Sequence, residues 1–189
     1  MGRAIENLYL NILKQDLSLE EAKRNMYSNE NYMWGFLGRD ENLQELIESD
    51  KLAIEKLGIS YEQIASAVED LFLSDEERVN GNFILRKEYI ASPICPWKDY
   101  CTTSPFTGLA TTITEIVVVN ESKVGEAVEV WEREHGLPLN SYQELVDKDL
   151  AMVFSDLHPH LIRDHHFFEG KATPYRVDPE RAIRYLGIH

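Results

Sequence analysis

The sequence predicts an α+β fold, a helical N-terminal half packed on a small, mainly antiparallel β-sheet with a C-terminal hairpin. Three observations predict it. Up to residue 80, apolar residues recur at helical spacing between N-terminal capping signals. From Phe83 to Ile90 the repeat switches to two, with Phe83, Leu85, Lys87 and Tyr89 on one face and Ile84, Arg86, Glu88 and Ile90 on the other. The run Ile113 to Val119 is more apolar and reads as a strand central in its sheet. With 189 residues and 43% hydrophobic content, one domain with a continuous core is expected, its helical part spanning 1–80 and its α+β part 81–189.

Each element has a local reason. Ile5, Leu8, Ile12 and Leu13 mark a first helix, and Ser18 with Glu21 forms a capping box before a second short one. The aromatic segment from Tyr32 to Leu37 is expected to turn inward as a core wedge. Asp40 is a candidate cap for a longer helix that stops at Gly58, and Ser60 with Gln63 opens the next. These two read as an antiparallel hairpin, followed by a brief turn begun by Ser74 and Glu77. Residues 92–112 form a long loop of the kind that often carries function. Glu121 to His135 presents Val124, Ala127, Val128 and Trp131 on one stripe, with glutamates on the solvated face. Ser141 with Glu144 opens a helix running to about Asp156, and Asp178 with Pro179 starts a last short one after a return strand at 173–177.

Charge removes several classes of function. Nineteen Lys and Arg stand against 33 Asp and Glu, a net charge of -14, with no local basic patch to attract phosphate backbones or anionic lipid. Nucleic acid and membranes are therefore not expected partners. No apolar run approaches the roughly 20 residues needed to cross a bilayer, no signal peptide is legible at the start, and a cytoplasmic location follows. The two cysteines, Cys95 and Cys101, are expected to be thiols. Nucleotide-binding glycine motifs and a nucleophile elbow are absent from the sequence.

The chemistry concentrates in Phe154 to Gly170, which holds four of the six histidines together with Asp156 and Asp164. As a helix, the segment would place Pro159 at its start and make His160 and Asp164 neighbours at i, i+4. As a strand, the preferred reading, it would set His160, Asp164 and His166 on one face and His165 on the other. Imidazole and carboxylate are suited to zinc or iron, and a thiol from the long loop could complete the shell. The candidate metal ligands are Cys95, Cys101, His158, His160, Asp164 and His166. A structural hydrogen-bonding network is the alternative role for these histidines. A second chemical reading makes Cys95 a nucleophile, His160 or His166 its base and Asp164 the group orienting that base. A buried, inert thiol is the alternative for Cys95.

The order of pieces in the second half, Phe83 to Ile90 leading to Cys95 and Pro96, then Gly136, Leu137, Pro138, then Leu161 to Gly170 before Tyr175, Arg176, Val177, resembles the superfamily of 4-vinyl reductase domains and L-2-amino-thiazoline-4-carboxylate hydrolases. The resemblance covers about residues 80–178 and implies a small-molecule-binding α+β fold in which Cys95 is the residue carried over. The last strand departs from it, with Thr173, Pro174 and Tyr175 where that family tends to have a cysteine.

The expected function is a cytoplasmic small-molecule-binding domain acting as a Cys/His-based or metal-assisted hydrolase, with zinc the candidate cofactor and self-association left open. The alternative is a non-enzymatic regulatory or immunity-like protein meeting a basic partner through its acidic surface.

Overall fold

The computed structural model describes residues 17–27, 35–91, 94–99, 111–133 and 138–189. Among them are seven α-helices and a four-stranded antiparallel sheet, so the α+β class holds. The helices are α1 (Leu19–Asn25), α2 (Leu43–Leu57), α3 (Tyr61–Leu73), α4 (Val124–Arg133), α5 (Pro138–Asp147), α6 (His158–His165) and α7 (Pro179–Leu186). The strands are β1 (Arg78–Val79), β2 (Asn82–Ala91), β3 (Thr111–Val119) and β4 (Ala151–Ser155), in the spatial order β1-β2-β3-β4. The first predicted helix, Tyr32 to Trp34 of the aromatic wedge, and Gly136 and Leu137 lie outside the described residues. Phe36 and Leu37 of the wedge are buried, as expected.

The capping signals are realised at α1 and α3, where Ser18 with Glu21 and Ser60 with Gln63 form reciprocal boxes. At α2 the cap is Asn42 rather than Asp40. Its side chain accepts from the Gln44 and Glu45 amides. Gly58 ends α2 in the left-handed conformation at φ 69°.

The two faces of β3 bury different cores. Ile116 and Val118 pack with Ile64, Val68, Met152 and Phe154, while Val117 and Val119 pack with Tyr142, Leu145 and Val153. β3 pairs with β2 from Phe83↔Val119 to Ala91↔Thr111 and with β4 from Glu115↔Ser155 to Val119↔Ala151. A third apolar cluster joins Met26, Phe36, Leu43, Cys95, Trp97, Leu157, Leu161 and Phe167, and it carries the site described below.

Three expectations are corrected here. The helix opened near Ser141 begins at Pro138 and ends at Asp147, because Asp149 turns left-handed (φ 54°) and Ala151 to Ser155 pairs with β3. That short apolar run is buried on both faces, so its periodicity does not separate strand from helix. Second, residues 158–165 are a helix rather than a strand: Leu157, Leu161 and Ile162 share a buried side, Pro159 sits in the first turn, and His166 ends it at φ 54°. β4 already holds the sheet edge, and Pro159 has no amide hydrogen to donate to a ladder.

The C-terminal hairpin is consequently absent. Residues 166–178 form an irregular strap, tied by Val177 N–H to the Phe168 carbonyl (3.0 Å) and by Gly170 N–H to the Phe36 carbonyl (2.8 Å). Gly170 is required by space alone, since a Cβ there would stand 2.2 Å from Glu41 Oε2 and 3.0 Å from Leu37 Cα.

Candidate metal centre

Four potential ligands converge where the turn after β2 meets α6. Lys98 N–H donates to the Cys95 carbonyl (2.7 Å), Lys98 itself is left-handed at φ 60°, and Asn25 Nδ2 holds the Pro96 carbonyl at 2.8 Å. This tight turn points Cys95 and Asp99, four residues apart, to one place. From the other side, α6 contributes His160 and its last residue, His165. Trp97 stacks on the His165 ring with centroids 4.0 Å apart and planes 4° from parallel, which fixes the imidazole's tilt.

Cys95 Sγ, one carboxylate oxygen of Asp99, and one ring nitrogen each of His160 and His165 all lie within 4.8 Å of one another. Cys95 Sγ is 3.4 Å from His165 Nε2. His165 Nε2 is 3.2 Å from His160 Nε2 and 3.0 Å from Asp99 Oδ2, and His160 Nε2 is 3.1 Å from Asp99 Oδ1. A tetrahedral zinc ion with bonds of 2.0–2.3 Å has donor-to-donor edges of about 3.3–3.8 Å, and four donors within 4.8 Å of one another are of a size that could hold one such ion after small shifts.

The protonation pattern points the same way. His160 Nδ1 lies 2.7 Å from Asp164 Oδ2 across one turn of α6, so Nδ1 carries a hydrogen donated to that carboxylate. In the neutral ring this leaves a lone pair on Nε2, directed at a carboxylate oxygen and at a second imidazole nitrogen. Both imidazoles lie at hydrogen-bonding distance from Asp99, and a cation that displaced their protons would find two ring nitrogens and a carboxylate within about 3 Å of one another. Asp164 thus stands where an outer carboxylate would orient His160 if that ring held a metal.

Burial, and then the hydrogen bond to Asp99, pushes the Cys95 thiol well above its ordinary range, so without a cation nearby it is a poor nucleophile. Burial opposes ionisation of Asp99 too, but the Cys95 hydrogen bond and the charges of His165 and His160 outweigh it and lower its pKa. Burial lowers the pKa of His165, against the pull of Asp99, and favours the neutral imidazole that binds metals.

Of the residues singled out in the sequence, Cys95 and His160 come together, and Asp164 lies beside His160. His158 and His166 do not join them. His158 is fully buried on the other side of α6, and His166 stacks on Tyr61 with centroids 4.0 Å apart. Cys101 lies outside the described residues. The sequence reading missed Asp99 and His165. The strand period had placed His165 opposite His160; in a helix that closes at His165 the two rings converge. Asp99 carried one legible signal, its offset of four from Cys95 in a Pro-containing turn.

No family model, no curated protein and no solved structure matches this chain. Among the described residues no helix is long and apolar enough to cross a membrane.

Proposed function

We propose that this chain is a cytoplasmic zinc-binding domain that holds one ion through Cys95, Asp99, His160 and His165 and uses it in hydrolysis of a small molecule. The observation that carries the reading is the pair of Nε2 atoms 3.2 Å apart, with the His160 tautomer set by Asp164. A thiolate, two imidazoles and a carboxylate form a borderline-soft set suited to zinc. The ligand role for Cys95 is preferred to the nucleophile role because burial disfavours its free thiolate.

Hydrolysis is favoured over a purely structural ion by the uneven exposure of the four groups. The Asp99 side chain is 33% exposed, against 13% for His160 and 11% for His165. Asp99 is the donor best placed to yield to water, and zinc lowers the pKa of bound water to about 7.

The test is elemental analysis and thermal melting of protein purified without added metal, repeated after chelation and after Zn²⁺ is returned. Close to one equivalent of metal, a melting temperature that falls on chelation and recovers with Zn²⁺, and loss of both effects in Cys95→Ser and His165→Ala are expected. Protein that takes up no metal and melts identically throughout would sink the reading, leaving the acidic surface and a basic partner as the question. Zinc-dependent cleavage of an activated ester, absent from the chelated protein, checks the hydrolytic half.

A further inference from the structure

A groove of about 350 Å³ runs between the end of α3 and the start of α6. His160 is shared between groove and metal centre. Its Nδ1 faces Asp164, which lines the groove, while its Nε2 faces Asp99 and His165. The wall toward α3 is apolar, built from Phe72 and from Leu73, a residue 78% exposed. A large apolar residue left in water at the rim of a groove marks a contact surface rather than core.

The charges are unbalanced. Three carboxylates, Glu69, Asp156 and Asp164, line the groove against one cation, Arg163. That cation is already engaged, with Nε 2.8 Å from Glu62 and an Nη 2.9 Å from Glu69. Asp164 is held by His160. Asp156 differs from both, because its Oδ1 is buried and has no hydrogen-bond partner. A buried acceptor without a partner is costly, and the residue that carries it is part of the lining of a space of ligand size.

We propose that this groove is a recognition site for an organic ammonium ion on an apolar body, the ammonium held by Asp156 and Asp164 and the body lying against Phe72 and Leu73. As the docking place for a substrate of the metal centre the proposal rests on the zinc reading; the binding step does not. Burial raises the Asp156 carboxyl to about 6, against the smaller opposing pull of His158 and of its own backbone amide, so at pH 7.5 it is largely ionised.

The experiment is calorimetric titration of 2-phenylethylamine, with 2-phenylethanol as its neutral counterpart, at pH 7.5 into chelated and zinc-loaded protein. Saturable binding of the amine is expected in the chelated protein, with the alcohol at least about tenfold weaker, as for loss of a charge-assisted hydrogen bond. Asp156→Asn, which removes the charge, and Leu73→Gln, which alters only an exposed side chain, should each weaken the amine by about tenfold. Equal affinity for amine and alcohol, no saturable amine binding, or affinity unchanged in both variants would overturn the proposal. Amine binding that survives while zinc uptake fails would support the groove and discard only the metal reading.

Discussion

Two polar clusters flank α6, and they treat their histidines in opposite ways. On one side His158, wholly buried, accepts the Ser155 amide hydrogen at Nδ1 (2.7 Å) and turns Nε2 toward Glu169 Oε1 (3.1 Å). Glu169 Oε2 receives the Thr173 hydroxyl at 3.2 Å, and the Glu169 carbonyl accepts from Arg176. The Arg176 guanidinium is also paired in the core with Asp50 of α2. On the other side, His160 and His165 direct ring nitrogens at each other and at Asp99. The first cluster consumes its lone pairs internally and binds the strap to the helices. The second leaves donor atoms convergent and partly exposed. Although Ser155 Oγ lies 3.2 Å from His158 Nδ1, the shorter amide contact already occupies that nitrogen's lone pair, so Ser155, His158 and Glu169 do not make an active triad. Satisfaction of the lone pair, not the presence of a histidine beside a carboxylate, separates scaffold from site.

The sharpest way to break the comparison is Arg176→Met. It strands Asp50 in the core and should cost about 3–5 kcal/mol in urea unfolding, as other broken buried pairs do. Zinc affinity measured on the folded protein should stay within a few-fold; a collapse of both together would mean that the clusters are one unit.

His158→Phe keeps a ring in place but leaves the buried Ser155 amide without its acceptor, costing roughly 1–3 kcal/mol, and takes the imidazole away from Glu169. Metal stoichiometry should be unaltered, which elemental analysis of the purified variant reads directly. His165→Phe should give the reverse pattern.

Asp164→Asn removes the acceptor that orients His160 and should weaken zinc about 10–100-fold in a competitive chelator titration. Its effect on stability in chelator should be slight, because the Asp164 side chain is 51% exposed. A variant with wild-type zinc affinity would remove Asp164 from the centre.

A pH difference is expected at Asp156. Its folded pKa, about 6, lies above the ordinary 3.8, so the native state binds this proton more tightly than the unfolded chain does. The stabilisation is present in full below about pH 4 and is lost as pH rises through 6. Asp156→Asn should therefore gain stability relative to wild type between pH 4 and 7, a trend that paired chemical denaturations at the two pH values measure. A constant offset across that range would show that burial does not hold this proton.

Much of the fold was legible because it is written in local chemistry. Ser18 with Glu21, Ser60 with Gln63, Gly58 and Asp178 mark helix ends by hydrogen bonds made within a few residues. The alternation from Phe83 to Ile90 marked β2 for the same reason. β4 was not legible, since Ala151 to Ser155 is buried on both faces and only its pairing with β3 makes it a strand. Of the candidate centre, Cys95, His160 and the supporting Asp164 were legible as residue types with the right chemistry in dense stretches. Asp99 and His165 were hidden, one by an unremarkable loop position and the other by the wrong period.

By itself, then, the sequence determined the α+β class, most helix boundaries, the acidic character, and the i, i+4 bond between His160 and Asp164 once the segment is helical. Tertiary structure alone decided that residues 158–165 are helical, because the sheet edge is held by β4 and Leu157, Leu161 and Ile162 need one buried side. It also decided which histidines meet Cys95, since 61 residues separate Asp99 from His160 and no local rule reaches that far. Donors so distant in the chain converge only because the Cys95 turn and α6 pack into the same apolar cluster.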